Sequence, residues 1–383
     1  MRRVFCVCLA LMLCVTSGIS AVAQETDTAE MPAVSALSAV LYEPTTGTVI
    51  FAKGAHDKRP MASTTKLMTA LLAEECLPWE RTVSIPAAAS GIEGTTLGLA
   101  PNDTVTVGDL VTGMLLESGN DAATALALLC DGSLSTFAAR MNDKAAALGM
   151  KDSRFVTPSG LDADGHETSA YDMALLGAAV LRRPALAQVC AQKSATITIS
   201  GRVVTVCNHN RLLSMVDGCV GLKTGYTTRA KRCLVSAVRQ NGVTLIAVTL
   251  NGHDYWNDHK ALYEAGFALV KVTALDAPAV SPIAVAGGET ATVDVTVTPQ
   301  TAVLVAPAVA SEVTATVACE PLLFAPIAAG KKVGTVTYVY RGQTVATADV
   351  VTATAVKETP PRSFLRRTAD AFCALCCALF TMR

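Results

Sequence analysis

Strand-like segments at both ends of a long helical region are the feature that most restricts how this chain can fold. VSALSAVLYE, the turn PTTG and TVIFAK have the alternation of a β-hairpin. After residue 220, GLKTGYT, CLVSAVRQ and VTLIAVTL again have strand patterns, and Asn241-Gly242 predicts a tight turn between the last two. Apolar residues at helical spacing fill the sequence between these groups. We therefore predict one antiparallel sheet, built from both ends of the region and flanked by helices, in an α/β (α+β) fold.

The composition changes near Lys271. TATVDVTVTPQTAVLVA and KKVGTVTYVYRGQTVATADVVTATAV alternate Val and Thr and contain few helix formers. They predict a small β-sandwich domain over residues 272–357, after a main domain over residues 33–271. The small domain has no cluster of His, Ser/Lys or carboxylate residues in its sequence, so we assign it a spacing or docking role.

Both ends of the chain carry targeting patterns. Arg2 and Arg3 precede an apolar stretch that ends in the small residues Ala21-Val22-Ala23, so residues 1–23 are predicted to be a secretory signal peptide. In residues 362–383, arginines precede an uncharged run that is too short to span a bilayer. We expect an amphipathic helix there that anchors the exported protein to the outer face of the cytoplasmic membrane.

Charge and cysteine spacing exclude other functions. The 383 residues carry a net charge of −1 and the body of the chain has no basic block, which argues against nucleic-acid binding. Zinc-site spacing of Cys and His is missing, and His253 and His259 lie off one helical face, so we expect no metal and no other cofactor. Cys219 and Cys233 could form a disulfide or stay as buried thiols, and the sequence leaves both open.

Three short motifs follow one another in the main domain. Ser63-Thr64-Thr65-Lys66 opens the first helix, Ser118-Gly119-Asn120 interrupts the helical middle, and Lys223-Thr224-Gly225 lies on a strand. Each alone has a simpler explanation: Ser63 as an N-cap, Lys66 reaching solvent, the middle motif as a plain turn, Lys223 as a solvated strand residue. All three in this order are far less probable by chance.

The residue types suit catalysis by a serine nucleophile. The Ser63 hydroxyl needs a base, and none of the His residues stands in a triad-like context. Lys66, one helical turn away, can be that base if burial and a nearby cation lower its pKa. Lys223 would supply the cation and would also bind a substrate carboxylate.

The remaining motif residues suit supporting roles. Ser118 would relay a proton to the leaving group, and Asn120 would hold the substrate amide and Lys66. Gly225 would let the substrate backbone lie close to the strand. The backbone N–H groups of Ser63 and Tyr226 would stabilise an oxyanion.

The sequence around the motifs resembles low-molecular-mass penicillin-binding proteins, the serine-type D-alanyl-D-alanine carboxypeptidases of peptidase family S11. ASTTKLMTALLA, GLAPNDTVTVGDLVTGMLLESGNDAATALA, FVTPSGLDADGHETSAYDMALL, VDGCVGLKTGYT and CLVSAV are similar to the family in order and spacing, and so are the β domain and the tail. The resemblance implies a β-lactamase/penicillin-binding transpeptidase-like main domain. It also implies removal of the terminal D-alanine from peptidoglycan stem peptides ending in D-Ala-D-Ala, through an acyl-serine, and acylation by β-lactam antibiotics.

By motif, the resemblance implies catalytic and substrate-binding groups. The catalytic residues are Ser63, Lys66 and Ser118, and the substrate-binding residues are Asn120, His209, Lys223, Thr224, Gly225 and Tyr226. The sequence departs from the family pattern at Met61, where Pro is usual, and at Lys231, where Gly is usual. His209 stands where a basic residue is expected.

Two other functions fit parts of the pattern. A β-lactamase would add a glutamate that activates the deacylating water, and Glu167 is the acid nearest that part of the chain. The middle motif, however, lacks the Asp of the S-D-N form. A non-catalytic penicillin-recognising, wall-binding protein would lack the nucleophile or the base, and this chain has both.

Overall fold

The computed structural model describes residues 31–305, 310–340 and 342–360. The predicted signal peptide and C-terminal anchor lie outside these residues. The first part of the chain contains, in order, β1 (Ser38–Glu43), β2 (Thr48–Lys53), α1 (Lys66–Cys76), β3 (Thr82–Ser84), β4 (Thr104–Thr106), α2 (Val107–Leu116), α3 (Asn120–Asp131), α4 (Leu134–Ala147), α5 (Ala170–Leu181), α6 (Pro184–Ala191), β5 (Ser194–Ile199), β6 (Arg202–Cys207), α7 (Leu212–Met215), β7 (Cys219–Thr227), β8 (Lys231–Gln240), β9 (Val243–Leu250) and α8 (Tyr255–Leu269).

Strands from both ends of this region form one antiparallel sheet, as predicted. Its order is β2-β1-β9-β8-β7, so the first strand pairs directly with the last, and β7 is an edge. Asn241 and Gly242 join β8 to β9 with positive φ values of 49° and 80°, the conformation that this turn sequence favours.

Both faces of the sheet are covered, which explains the continuous apolar strands. Val40 and Ile246 pack into the core under the helices of the middle region, while Leu41 and Leu245 pack on the opposite face with Tyr263 of α8. Every residue of β1 is buried. A strand covered on both faces has no solvent side and therefore no polar alternation.

The helical middle follows the predicted pattern, with the hairpin β3–β4, the segment α6–β5–β6 and α7 as additions. The chain breaks between α2 and α3 at Ser118, whose φ is 72°. Residues 184–207, for which no element was predicted, form α6 and the hairpin β5–β6. Ser200 and Gly201, both with positive φ, form the hairpin turn, and this Ser-Gly pair was the available sequence signal.

The described residues of the C-terminal part form β-strands and one short 3₁₀ turn, in agreement with the predicted all-β domain. Its strands are β10 (Val270–Leu275), β11 (Ile283–Ala286), β12 (Thr292–Val293), β13 (Val295–Val297), β14 (Gln300–Val305), β15 (Thr314–Cys319), β16 (Leu322–Phe324), β17 (Lys332–Tyr340) and β18 (Gln343–Thr352). They form three sheets, β10-β14, β12-β11-β16 and β13-β18-β17-β15. A separate core that includes Leu304, Leu323, Val336 and Val350 holds these sheets together.

The strand register decides the disulfide left open by the sequence. Cys219 lies opposite Val238, whereas Cys233 lies opposite Gly225. The two cysteines are therefore separated by about 20 Å along the sheet, at roughly 3.3 Å per residue. A disulfide needs Cα atoms within about 7 Å, so this pair stays as thiols.

Among the described residues, no single helix is both long and apolar enough to cross a membrane. Two sharply bent pairs, α3 with α4 and α5 with α6, reach the required length and apolarity only when each pair is taken together.

Candidate active site

The three motifs meet at one cavity of about 290 Å³ beside the edge strand β7. It is lined by Ser63, Thr95, Ser118, His209, Thr224, Gly225, Tyr226, Arg232 and Tyr255. A larger cleft of about 680 Å³ lies near Tyr42 and Tyr171 and includes none of the motif residues. In the described part of the chain, no three His, Cys, Asp or Glu side chains lie close enough together to hold a metal ion.

Ser63 lies in the 3₁₀ turn Ala62–Thr65 that leads into α1. The turn is held by two of its own hydroxyls: Thr64 Oγ1 donates to the Met61 carbonyl at 2.6 Å and Thr65 Oγ1 to the Ala62 carbonyl at 2.8 Å. Ala62 has a φ of 48°, unusual for a residue other than Gly and typical of strained functional sites. Ser63 is not the N-cap of either helical segment.

Lys66 is fully buried and its amine contacts the Ser63 hydroxyl. Its Nζ lies 2.8 Å from Ser63 Oγ, 2.7 Å from Asn120 Oδ1 and 2.6 Å from the Ser159 carbonyl oxygen. Burial lowers the pKa of Lys66 well below its usual value, and the Lys223 cation lowers it further. The side chain therefore does not reach solvent, and its neutral form is favoured.

Asn120 is oriented by a second contact. Its Nδ2 donates to the Glu93 carbonyl at 2.8 Å, which leaves Oδ1 facing Lys66. The neighbouring Asp121 carboxylate accepts from the backbone N–H groups of Leu97 and Leu99 at 2.9–3.0 Å. The motif thus fixes both the lysine and the loop that covers it, and it is more than a plain turn.

Lys223 is buried on β7, with its Nζ donating to the Thr224 carbonyl at 3.0 Å. Burial lowers its pKa to about 8, while Cys190 and Glu117 oppose the shift. His209 lies at the same end of the cavity, with Nε2 3.7 Å from Glu117 Oε1. Burial and then the Lys223 cation lower the pKa of His209.

Gly225 packs closely against the turn that carries Ser63, a contact that the sequence reasoning did not foresee beside the predicted approach of a substrate backbone. A Cβ at this position would lie 2.9 Å from the Ser63 nitrogen and 3.1 Å from the Met61 carbonyl oxygen. Real Cβ atoms do not approach backbone so closely. The glycine allows the turn that carries the nucleophile to pack against β7.

His166 was missed by the sequence reasoning. Its Nδ1 accepts from the Val156 N–H at 2.9 Å, so the ring proton lies on Nε2 and is donated to Thr65 Oγ1 at 2.8 Å. Burial lowers the pKa of His166 to about 4, which keeps the ring neutral near pH 7. The ring ties the loop that carries the Ser159 carbonyl to the turn beside Lys66.

Glu167, the candidate deacylating acid, does not reach the cavity. Its backbone forms an isolated bridge with Arg154. Among the described residues that line the cavity, none is an Asp or a Glu, and the nearby Glu117 contacts His209. The adjacent His166, not Glu167, faces the catalytic turn.

Arg232 and Tyr255 were also missed. Arg232 lies opposite Tyr226 in the strand register, and its guanidinium lies 5.5 Å from the centre of the Tyr255 ring. The positive charge is thereby held at the rim of the cavity. The available sequence signal for Arg232 was a cationic residue in the strand that follows the K-T-G motif. Whether this residue reaches the cavity depends on the strand register, which is set by the connection over residues 228–230.

Comparison with known proteins places this geometry in a family. The family model described as D-alanyl-D-alanine carboxypeptidase, peptidase S11, matches residues 25–254, and the penicillin-binding protein 5 C-terminal domain matches residues 267–358. The chain is 34% identical over 256 residues to the D-alanyl-D-alanine carboxypeptidase DacF of Bacillus subtilis, covering 65% of this chain and 66% of that protein. It is 35% identical over 232 residues to DacD of Escherichia coli, covering 57% and 59%.

The fold is similar to that of a solved relative as well. The crystal structure of penicillin-binding protein 5 from Haemophilus influenzae superposes with a TM-score of 0.63 and 28% identity, covering 86% of this chain and 99% of that one. The two curated relatives named above are matched over somewhat less than two thirds of their length. The family match spans more than half of the chain and contains all three motifs. The chain belongs to the D-alanyl-D-alanine carboxypeptidase family, peptidase S11.

Proposed function

We propose that this protein is a serine-type D-Ala-D-Ala carboxypeptidase. It removes the terminal D-alanine from peptidoglycan stem pentapeptides through an acyl-Ser63 intermediate, and β-lactams acylate the same serine. The observation that carries the proposal is the contact between the buried Lys66 amine and the Ser63 hydroxyl at 2.8 Å. Membership of the D-alanyl-D-alanine carboxypeptidase family supports the substrate class.

The three contacts of Lys66 explain how it acts as a base. Asn120 Oδ1 and the Ser159 carbonyl are acceptors only, so they hold the two N–H groups of a neutral amine. The remaining lone pair of Nζ then faces Ser63 Oγ and takes the hydroxyl proton as the oxygen attacks the peptide carbonyl. Ser118, which lines the same cavity, passes a proton to the leaving D-alanine.

The substrate is held along β7. Lys223, Thr224 and Arg232 bind its terminal carboxylate, since both cations lie beside the cavity and Thr224 lines it. His209 contributes at the Lys223 end. The backbone N–H groups of Ser63 and Tyr226 stabilise the oxyanion, which the close packing of Gly225 against Ser63 N supports.

A β-lactamase-like function is the weaker candidate. Class A β-lactamases hydrolyse their β-lactam acyl-enzyme with water activated by a glutamate, and the described residues lining the cavity include no carboxylate. The acyl-enzyme formed with a β-lactam therefore persists, and the antibiotic acts as an inhibitor. Fast turnover of a chromogenic cephalosporin would favour the β-lactamase function instead.

The location of the enzyme is part of the proposal. The main domain, residues 33–271, faces the cell wall outside the cytoplasmic membrane, and the β domain, residues 272–357, holds it away from the surface. Residues 362–383, which carry arginines before an uncharged run, attach the protein to the membrane. A chain that ends at Lys357 should leave the membrane fraction and keep its activity on small peptides; sedimentation with membranes would place the anchor elsewhere.

The substrate assignment is tested with matched peptides. Purified protein is incubated with a stem pentapeptide ending in D-Ala-D-Ala and, separately, with one ending in D-Ala-L-Ala, and alanine release is followed by mass spectrometry. We expect loss of one alanine from the first peptide and none from the second. No release from either, together with no covalent penicillin adduct, would reject the proposed function.

A further inference from the structure

Two half-buried cysteines lie together at the far ends of the helices that carry the catalytic groups. Cys76 is the last residue of α1, and Cys130 is the penultimate residue of α3. Both side chains pack against the same hydrophobic core, and the two thiols lie close enough to interact with each other and with the Arg140 guanidinium. Neither cysteine belongs to the active site.

The two helices run side by side, and this brings the cysteines together. α1 packs on α3, and at their beginnings Lys66 Nζ donates to Asn120 Oδ1 at 2.7 Å. Cys76 lies ten residues after Lys66, and Cys130 lies ten residues after Asn120. Ten helical residues span about 15 Å, so parallel helices that touch at 66 and 120 bring 76 and 130 together at the other end.

The surroundings hold the pair in place and leave it accessible. Arg140 of α4 donates to both carboxylate oxygens of Asp131 at 2.9–3.0 Å, which fixes the end of α3. Cys76 and Cys130 are both partly exposed. A thiol oxidant can therefore approach from solvent.

We propose that Cys76 and Cys130 form a disulfide in the exported protein. One thiolate attacks the disulfide of a thiol-oxidising protein or of oxidised glutathione, and the second displaces the oxidant from the mixed disulfide. The two cysteines lose two protons and two electrons, and the oxidant leaves as two thiols. The new bond ties α1 to α3, the helices that position Lys66 and Asn120.

The electrostatics favour a structural bond over a reactive thiol. Burial and the neighbouring Cys76 raise the pKa of Cys130 above its usual range. In strongly oxidising proteins, a stabilised thiolate favours the reduced form of the cysteine pair. A thiol with a raised pKa gains no such stabilisation, so this pair is not held in its reduced form.

The proposed Cys76–Cys130 disulfide is tested by peptide mapping. Full-length protein is taken from the extracytoplasmic fraction, denatured with excess N-ethylmaleimide but no reductant, and digested. We expect the peptides that contain Cys76 and Cys130 to appear as one cross-linked species that reductant separates. Maleimide on both cysteines, or a link from either to Cys207, would overturn the proposal.

Stability gives an independent readout. A disulfide that closes a loop of about 50 residues should raise the melting temperature by about 5–15 °C. Dithiothreitol should remove this increment from the wild type and from the control Cys207→Ser, which changes an exposed cysteine. It should not affect Cys76→Ser, Cys130→Ser or the double variant. Equal sensitivity of all variants would contradict the bond, and D-alanine release at 25 °C would still report separately on the proposed function.

Discussion

The Nζ atom of Lys66 lies 2.8 Å from the Ser63 hydroxyl oxygen, at the bottom of a cavity where the lysine side chain has no exposed surface. Burial of an amine is unfavourable for its charged form. The Lys223 cation adds to that effect from the neighbouring strand. The position that would destabilise an ordinary lysine is therefore one that shifts Lys66 toward its neutral amine form.

Replacing Lys66 tests whether it accepts the proton. Lys66→Ala removes the amine, and Lys66→Arg keeps a positive charge that does not deprotonate in proteins. We expect both to lower the rate of acylation by penicillin by about 10²–10⁴-fold, the usual contribution of a general base. The rate is measured by stopped-flow or by mass spectrometry of quenched samples.

A surface lysine provides the control. Lys144 pairs with Glu75 at 2.6 Å on the other side of the main domain, so Lys144→Arg should acylate at the wild-type rate. If Lys66→Arg retained that rate as well, a neutral Lys66 would not be the base.

The pH dependence of acylation should report the Lys66 amine. Because its pKa is lowered, the neutral form persists to lower pH than in an ordinary lysine, and the rate falls as pH drops through the lowered pKa. This fall is the acidic limb of the pH–rate profile. Lys223→Met removes the neighbouring cation, so the Lys66 pKa rises and the acidic limb moves to higher pH. The limb is measured relative to each variant's own maximal rate.

Movement of this limb to lower pH in Lys223→Met, or no movement, would contradict the electrostatic coupling of the two lysines. Lys231→Met is the matched control, since Lys231 is exposed at the start of β8. Its acidic limb should coincide with that of the wild type.

A contact in the site could be predicted from the sequence when its two residues lie close together in the chain. Ser63 and Lys66 lie one helical turn apart, so their contact follows from local structure. The Ser159 carbonyl, in contrast, is a backbone group from a loop about 90 residues away, and a backbone acceptor has no residue type to recognise.

Two features that the sequence did not indicate are also non-local. Gly225 packs against the backbone of a turn that is distant in sequence, so a single strand gave no indication of this contact. Arg232 reaches the cavity through the strand register opposite Tyr226. Periodicity indicates which residues form a strand but not how neighbouring strands are aligned. That strands from both ends form one sheet was predictable, because the strand patterns recognised in the main domain stand at both ends of the helical region.

The carboxylate contact is tested with a pair of substrates. Lys223→Met should lower kcat/KM for a D-Ala-D-Ala peptide by about 10–100-fold, the equivalent of one charge-assisted hydrogen bond. The same peptide with its C-terminus amidated has no carboxylate, so wild type and variant should differ much less on it. Equal losses on the two peptides would show that Lys223 does not bind the carboxylate.

Gly225 offers a steric test of the nucleophile's position. Gly225→Ala puts a Cβ 2.9 Å from the Ser63 nitrogen, so the turn must shift. A displacement of about 1 Å can lower a rate about 100-fold, and we expect acylation to fall about 10–100-fold. Gly242→Ala should reduce stability through its positive φ, yet acylate normally, because nothing lies within 4 Å of the added carbon. Wild-type acylation by Gly225→Ala would contradict this packing argument.

The most direct measurement is peptide mapping after brief exposure of the protein to a β-lactam. Acylation by the proposed mechanism leaves the acyl group on the peptide that contains Ser63, and Ser63→Ala should carry none while melting at the wild-type temperature. The same variant should release no D-alanine from a pentapeptide. An adduct on another residue, or labelling of Ser63→Ala at the wild-type rate, would show that Ser63 is not the nucleophile that Lys66 activates.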